Sequence, residues 1–189
     1  MTKKAVEGVA GSGLVGVAKD QLKKDGVAPA LCTGFAVVEL DQETGKYEIL
    51  EYLGVADCGT VMHPDGLGAQ MHGGAVMGFG MASSERHVYD PKLGIPANRG
   101  LYQQKPPTYL DVPSKLEWAA VNKPDPQSPF GSRGVGEPPL GAAASAVASA
   151  ISDAMGGHLF NRIPVTPDMI VNVLSGQPQS HKALQVNTQ

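Results

Sequence analysis

The stretch Phe130–Leu140, with the sequence FGSRGVGEPPL, holds a single carboxylate, that of Glu137, between two glycines and two prolines. Gly134 and Gly136 come before it, and they lack side-chain bulk and permit backbone angles that other residues avoid. The two prolines that follow fix φ and carry no N–H group, so the chain beyond Glu137 is stiff. The stretch therefore predicts a rigid, glycine-walled turn that presents one carboxylate.

A helix is predicted directly behind this turn. Apolar residues recur there at helical spacing, and Gly156-Gly157 supplies the stop; they are Leu140, Ala144, Val147, Ile151 and Met155. Proline suits the first turn of a helix, and the helix dipole stabilises negative charge at that end. Glu137 would then be a pre-aimed carboxylate with room for a ligand beside it, as a general base requires. The alternative is a solvated glutamate in a tight turn.

The region before this helix predicts strands, and the region after it predicts a short helix. Cys32–Leu40 and Lys46–Leu53 alternate in polarity on either side of the turn Asp41–Gly45, which indicates a β-hairpin. Leu116–Val121 indicates a further strand, and Thr166–Leu174 a short helix with Thr166 as its cap. Together these elements predict an α+β fold with a hairpin, a further strand and two longer helices.

The first of the longer helices, predicted over residues 64–82, contains six glycines. Each glycine inside a helix costs up to ~1 kcal/mol relative to alanine. Such a sequence is typical of a helix whose backbone is closely approached by something else. A crossing helix and a large planar cofactor both satisfy this requirement.

Several of these motifs together resemble one family. Gly134–Pro139, the Ala-rich helix behind it and the run Ile163–Pro167 are similar to the C-terminal end of the molybdenum-binding subunit in the xanthine dehydrogenase and aldehyde oxidoreductase family. The resemblance covers residues 32–174. It implies that residues 31–175 are the C-terminal part of a molybdopterin-binding domain, and that Glu137 is the active-site base.

The resemblance also assigns a cofactor site. Family members place a glutamine in a Gly-Gln-x-x-Gly-Gly context against the pterin, and here the run is Ala69-Gln70-Met-His-Gly73-Gly74. It therefore implies that Gln70, Gly73, Gly74 and Gly136 bind the cofactor. A primary amide can donate to and accept from pterin heteroatoms. On this interpretation the glycine-rich helix serves a cofactor rather than a crossing helix.

Four positions depart from the family pattern. Ala69, His63, Met77 and Arg133 stand where glycine, asparagine, glutamine and lysine are common. These departures concern the class of substrate more than the family. The histidines form no His-x-x-x-His pair, so His72 is interpreted as a helix-face residue and no side-chain metal ligands are predicted.

The resemblance implies hydroxylation of an aldehyde or N-heteroaromatic substrate with an oxygen derived from water. The implied cofactor is molybdenum with molybdopterin, in bacterial relatives often the cytosine dinucleotide form, shared with a partner chain. An iron–sulfur subunit with [2Fe-2S] and a flavin subunit with FAD are implied as further partners. Only the last part of a several-fold longer subunit is matched, so we expect a split subunit, with a fragment as the alternative; Met1 favours the split.

Two other functions are considered. Gly11-Ser-Gly13-Leu-Val-Gly16 spells a dinucleotide-binding fingerprint, and Glu39 follows at about the ~20-residue distance of a ribose-binding acid. The segment before it is short and charged rather than a buried strand, so a small-residue packing segment is the better interpretation. The second alternative is a non-catalytic assembly subunit that keeps the fold.

Composition excludes several classes of protein. A net charge of −3 and 5% aromatic residues argue against nucleic-acid binding. Cys32 and Cys58 stand too far apart for a Cys-x-x-Cys site, and no apolar run would span a membrane. We therefore expect a cytoplasmic protein, with residues 1–30 as a separate small-residue segment and residues 176–189 as a flexible tail.

Overall fold

The computed structural model describes residues 29–181 of the 189-residue chain. Three strands form one sheet: β1 (Leu31–Leu40), β2 (Tyr47–Asp57) and β3 (Lys115–Ala120). Four helices are present in this part of the chain: α1 (Pro64–Ser83), α2 (Leu101–Gln104), α3 (Pro138–Ala154) and α4 (Pro167–Leu174). A single 3₁₀ turn spans Tyr109–Asp111.

The sheet has the order β1-β2-β3. β1 and β2 pair antiparallel, with Phe35 opposite Leu53, through the turn that the sequence predicts. The carboxylate of Asp41 holds this turn by accepting a hydrogen bond from the N–H of Glu43 at 2.9 Å. β2 and β3 pair parallel, with Gly54 opposite Trp118, and the connection between them contains α1. The described region is thus a mixed domain of one small sheet and several helices.

The helices cover one face of the sheet. α1 and α3 pack on each other, and α3 also lies along β1. The core between these layers contains the edge-to-face ring pair of Tyr52 and Phe79, whose centroids are 5.2 Å apart, together with Val147, Ile151 and Ile170. The alanines of α3 permit this close packing because they carry only a methyl group.

The opposite face of the sheet is open. Along β1 every second side chain points away from the helices, and Leu31, Phe35 and Val37 are 50–61% exposed there. Ala36 and Val38, one residue out of phase, pack against the core. The alternation predicted for a strand is therefore present, but three of the five outward side chains, those of Leu31, Phe35 and Val37, are apolar.

The structure differs from the sequence predictions at three places. β2 continues to Asp57, four residues beyond the predicted end, because its last residues pair with the start of β1 and with β3. The segment between α1 and β3, for which no element is predicted above, contains α2 and a 3₁₀ turn. The hydroxyl of Thr166, predicted to cap α4, instead donates to the carboxylate of Asp168.

The first residues of the predicted flexible tail are hydrogen-bonded to α4. The side-chain amide of Gln179 donates to the carbonyl of Met169 at 2.9 Å, and the N–H of Gln177 donates to the carbonyl of Asn172 at 2.8 Å. The fingerprint glycines Gly11, Gly13 and Gly16 lie outside the described residues. Within residues 29–181, no helix is long and apolar enough to cross a membrane.

Candidate functional site

Glu137 occupies the N-cap position of α3, as the sequence predicts. Its backbone is helical, with φ −85° and ψ −28°, and its side chain makes no capping hydrogen bond. The residue is exposed. A Cβ atom added to Gly134 or Gly136 would have no heavy atom within 4 Å, so the turn before Glu137 is open on this side. The carboxylate is therefore available to a ligand.

Two glycines of α1 set the distance between α1 and α3. A Cβ atom on Gly74 would lie 2.6 Å from the Cβ of Pro139, and one on Gly78 would lie 2.6 Å from the Cβ of Ala143. The two contacts are four residues apart in both helices. α1 and α3 therefore run in the same direction, and each turn of one helix packs against one turn of the other.

This register places the start of α3 beside the middle of α1, at Gly74. One turn before Gly74 stands Gln70, and four residues before Pro139 stands Val135. Val135 packs against a buried cluster that includes Met71, the neighbour of Gln70. The structure thus brings the Glu137 turn and the Gln70 region of α1 to one place, although they are 67 positions apart in the sequence.

The remaining glycines of α1 have different neighbours. Gly68 faces the indole of Trp118, with 2.7 Å between an added Cβ and Nε1, and Gly80 faces Pro107. Gly73 is exposed, and nothing lies within 4 Å of an added Cβ. The interpretation that a cofactor explains the glycine-rich helix is therefore wrong for most of these positions: the chain's own helix α3, Trp118 and Pro107 fill the space. Only Gly73 among these glycines faces outward.

The predicted cofactor residues fall into two groups. Gln70, Gly73 and Gly136 are exposed near the Glu137 turn. Gly74 is buried beneath Pro139, so helix packing by itself accounts for glycine at this position. Direct binding of a cofactor by Gly74 stays a prediction, and its burial gives it no support.

His63 replaces a common asparagine at the start of α1, and the structure shows what it does there. Its Nδ1 accepts a hydrogen bond from the N–H of Gly66 at 2.7 Å, so it caps the helix as an asparagine oxygen would. His72 is half-buried, and its Nε2 has no hydrogen-bond partner among the described residues. Met77 is 53% exposed on the same outward side as Gly73.

Arg133 joins three parts of the chain. The sequence does not predict these contacts. Its Nε donates to Oδ2 of Asp125 at 2.7 Å, and its Nη1 lies 3.4 Å from Oδ2 of Asp57 and donates to the carbonyl of Pro29 at 3.0 Å. The guanidinium and the N–H of Gln127 hold the pKa of Asp125 below its ordinary value, with the N–H the larger cause. The Asp125 carboxylate in turn raises the pKa of Arg133.

The two cysteines lie on the side of the sheet that faces the helices. Cys58 is buried after β2 and Cys32 is half-buried in β1, and burial raises the pKa of both thiols. Among residues 29–181, no three His, Cys, Asp or Glu side chains are grouped so that they could hold a metal ion. Any metal at this site would need its ligands from elsewhere.

A large cavity lies away from Glu137. It has a volume of about 990 Å³ and is open to solvent between the hairpin and the proline-rich connection; its lining includes Tyr47, Ile49, Phe79, Lys105, Pro107 and Leu110. Neither Glu137 nor Gln70 lines it. We assign the candidate site to the Glu137 turn because Gly74, one turn after Gln70, packs on Pro139, two residues after Glu137, and because Gln70 and Glu137 are both exposed.

Comparison with known proteins decides the family. A sequence model described as a molybdopterin cofactor-binding domain matches residues 11–113, more than half of the chain. This chain belongs to the molybdopterin cofactor-binding domain family. The match begins at residue 11 and so includes the segment with the fingerprint glycines.

Relatives and solved structures of this family are molybdenum-dependent oxidoreductases. The chain is 35% identical over 150 residues to the xanthine dehydrogenase molybdenum-binding subunit of Escherichia coli O157:H7, which covers 79% of this chain and 20% of the relative. It is 32% identical over 142 residues to the nicotine 6-hydroxylase large subunit of Paenarthrobacter nicotinovorans, covering 74% and 17% of the two chains. The sequence-based assignment to the molybdenum hydroxylases is confirmed.

Solved structures give the same fold. Quinoline 2-oxidoreductase from Pseudomonas putida 86 superposes with a TM-score of 0.69 at 31% identity, over 76% of this chain and 18% of that chain. Aldehyde oxidoreductase from Desulfovibrio gigas gives 0.65 at 30% identity, over 73% and 15%. The chain thus spans about a fifth or less of the length of these molybdopterin proteins.

The exposed side chains of this molybdopterin-binding domain fit such a cofactor. Gln70 offers an amide that can both donate and accept, and the bare backbone face of Gly73 leaves room for a planar ring. Gly136 leaves similar room beside Glu137. Gln70 and Gly73 would hold the pterin, and Glu137 would stand beside the position where substrate reacts.

Proposed function

We propose that this chain is the C-terminal part of a split molybdenum-binding subunit, and that Glu137 is the general base for hydroxylation of an aldehyde or N-heteroaromatic substrate. The remaining part of the subunit would be a separate partner chain. The chain corresponds to about a fifth of the length of its relatives, so the rest of such a subunit is not contained in it.

The arrangement of Glu137 carries the proposal. Its carboxylate is exposed, makes no capping bond and follows a turn with open space at Gly134 and Gly136. The two residues that follow it are prolines, so the first two positions of α3 offer no N–H group to the carboxylate, which is left exposed. The packing of Gly74 on Pro139 fixes the turn beside Gln70, so a molecule held by Gln70 would lie within reach of Glu137.

In this mechanism the chain positions the reactants and moves one proton. The molybdenum cofactor, when bound, supplies the two-electron oxidation. Glu137 accepts a proton from the water whose oxygen enters the substrate, and its place at the positive end of α3 stabilises the carboxylate before the transfer. Gln70 orients the pterin through its amide. Pro138 and Pro139 keep the carboxylate from folding back onto its own helix.

We further propose that the cofactor is the cytosine dinucleotide form of molybdopterin, bound between this chain and its partner. Iron–sulfur and flavin subunits carrying [2Fe-2S] and FAD would remove the electrons. Two relatives are named as parts of larger assemblies, the nicotine 6-hydroxylase large subunit and a 6-hydroxypseudooxynicotine dehydrogenase complex subunit gamma, 34% identical to this chain over 140 residues.

Substitution of Glu137 by glutamine in the purified complex tests the proposal. Glutamine keeps the size but accepts no proton at neutral pH, so kcat should fall by about 10²–10⁴-fold. Turnover is measured with xanthine, quinoline and benzaldehyde and a dye as electron acceptor. The matched control is Glu48→Gln, an exposed glutamate on the hairpin, which should leave kcat unchanged.

Molybdenum and pterin contents are measured on the same samples. Loss of turnover with full cofactor supports a base. Wild-type turnover of Glu137→Gln with full cofactor would contradict the proposal and favour a non-catalytic assembly subunit.

A further inference from the structure

The loop that ends in Glu137 is fastened at its upstream end by Arg133. The guanidinium bridges Asp125, which precedes the loop, and Asp57, which ends β2, with N···O distances of 2.7 and 3.4 Å. The Asp125 side chain is only 5% exposed and that of Arg133 20%. A third bond, from Nη1 to the carbonyl of Pro29, brings in the segment two residues before β1.

The backbone around Arg133 is fixed to the same elements. Its N–H donates to the carbonyl of Cys58 at 2.7 Å, and the carbonyl of Gly131 accepts from the N–H groups of Thr60 and Asp125 at 2.7 and 2.8 Å. The loop at residues 131–133 is thus bound to the end of the sheet through both side chain and main chain.

Beyond this point the loop is held at Val135 and at the start of α3. Gly134 and Gly136 contact nothing on their side-chain side, and Val135 packs against the cluster beneath α1. Pro139 then fixes the start of α3 against Gly74. Glu137 therefore lies in a short span that Arg133 holds at one end and Pro139 at the other, with Val135 packed between them. Its position depends on both ends.

We propose that Arg133 is a positioning residue for Glu137. The Asp57–Arg133–Asp125 bridge fixes the loop that carries the Glu137 carboxylate and so fixes where that carboxylate lies beside α1. This inference rests on the proposed role of Glu137 as base. Arg133 itself lies four residues away and acts through the loop.

The shape of the guanidinium explains why arginine suits this position. Arginine presents several N–H donors in a planar fork, so it can bond two carboxylates and a carbonyl at once. Lysine is a point charge and would hold only some of these partners. Methionine keeps much of the hydrophobic stem but leaves two carboxylates close together without a cation.

The first test measures amide hydrogen exchange in the full chain within the complex. In Arg133→Met the amides of Thr60 and Asp125 should exchange at least about 10-fold faster, since they bond the loop carbonyl of Gly131. Amides in the middle of α3 should not change. Arg133→Lys should be intermediate. Arg99→Met is the matched control, because Arg99 is exposed and its side chain bonds only the carbonyl of Pro96 among the described contacts.

The second test is a double-mutant cycle on kcat. Arg133→Met should lower kcat at least about 10-fold with KM within about twofold, and Arg133→Lys should recover part of the loss. If Arg133 acts by positioning Glu137, the variant Arg133→Met/Glu137→Gln should be no slower than Glu137→Gln. Turnover uses whichever of xanthine, quinoline and benzaldehyde the wild-type complex oxidises.

The outcomes separate this inference from the proposed function. Unchanged exchange at Thr60 and Asp125, or losses in kcat that multiply in the double variant, would overturn the positioning role. Full turnover of Glu137→Gln would overturn the proposed base, whatever exchange shows. If Arg133→Met does not fold, Asp57→Asn removes only the longer contact, and the same exchange and cycle measurements then decide.

Discussion

Gly74 lies so close to Pro139 that a Cβ atom on Gly74 would be 2.6 Å from the Cβ of Pro139. This contact joins the glycine-rich helix α1 to the first turn of α3, two residues after Glu137. It makes the position of the candidate base depend on a buried glycine of α1. Gly73, the preceding residue, faces open space.

The adjacent glycines Gly73 and Gly74 should respond oppositely to alanine. Gly74→Ala forces α1 and α3 apart, and overpacking of this kind typically destabilises by about 1–3 kcal/mol. Gly73→Ala meets no neighbour and should stabilise the helix by up to about 1 kcal/mol. Urea unfolding followed by circular dichroism, at concentrations that keep the chain monomeric, measures both values.

The same pair tests the pterin assignment. If Gly73 leaves room for the cofactor, Gly73→Ala should lower the pterin content of the purified complex while the chain becomes more stable. Full pterin content in Gly73→Ala would contradict the assignment of Gly73 to the cofactor.

Gln70→Ala should weaken retention of the cofactor more than it changes turnover per bound molybdenum. The amide is proposed to bond the pterin and not the reacting carbon, so its loss acts on binding. Molybdenum and pterin are measured after gel filtration, with Gln42→Ala in the exposed hairpin turn as the matched control. Full cofactor in Gln70→Ala would show that the glutamine does not hold the pterin.

Much of the fold could be predicted because its signals are local. The alternation on both sides of Asp41–Gly45 located the hairpin, and the pattern before Gly156 located α3 to within two residues of its start. The end of β2 was missed because Ala56 and Asp57 are held by pairing with β1 and β3, which local sequence does not contain.

The site was only partly predictable. Glycine and proline around Glu137 describe the turn directly, and this part of the prediction agrees with the structure. The partners of Arg133 could not be found, since Asp57 and Asp125 stand 76 and 8 positions from it and neither has a distinctive neighbourhood. For Gly74, sequence showed that something approaches the backbone but not that it is Pro139.

Tyr52, which is buried, and Tyr47, which is half-buried, should differ when their hydroxyl groups are removed. The hydroxyl of Tyr47 donates to the carbonyl of Val165 at 3.0 Å, whereas that of Tyr52 is buried with no partner among the described residues. Tyr47→Phe should therefore lower stability by about 1 kcal/mol, and Tyr52→Phe should be neutral or stabilising by up to about 1 kcal/mol. Equal losses in urea unfolding would show that Tyr52 has a partner.

The burial of the Tyr47 and Tyr52 hydroxyl groups predicts that the free energy of unfolding falls in alkali. Burial raises the pKa of Tyr52 to about 12 and raises that of Tyr47 further. Stability is then complete below the ordinary tyrosine pKa of about 10 and falls as pH rises through the folded-state values. Unfolding midpoints in urea should decline above about pH 10, and less steeply in Tyr52→Phe.

Asp125 should make the fold sensitive to acid. The N–H of Gln127 and the Arg133 guanidinium lower its pKa in the folded chain, so its contribution is complete above the unfolded-state pKa and is lost as pH falls through the folded one. Asp125→Asn should lower the urea midpoint at about pH 5 and weaken its decline toward about pH 3. Some decline should remain, because the hydroxyl of Thr44 and the N–H of Glu43 also lower the pKa of Asp41.

The chain by itself should self-associate through the open face of the sheet. Leu31, Phe35 and Val37 form an exposed apolar row on β1, an edge strand with no partner on its outer side in the described residues. Natural proteins protect such edges with charged residues, especially lysine. Phe35→Lys should therefore shift the isolated chain from oligomers toward monomer in gel filtration with light scattering, with circular dichroism unchanged. The control is Leu93→Lys, at a leucine that is 70% exposed in a turn outside the sheet. This variant should not shift the chain toward monomer. A wild-type chain that is monomeric and melts cooperatively would contradict this, and the open face would then need no partner to cover it.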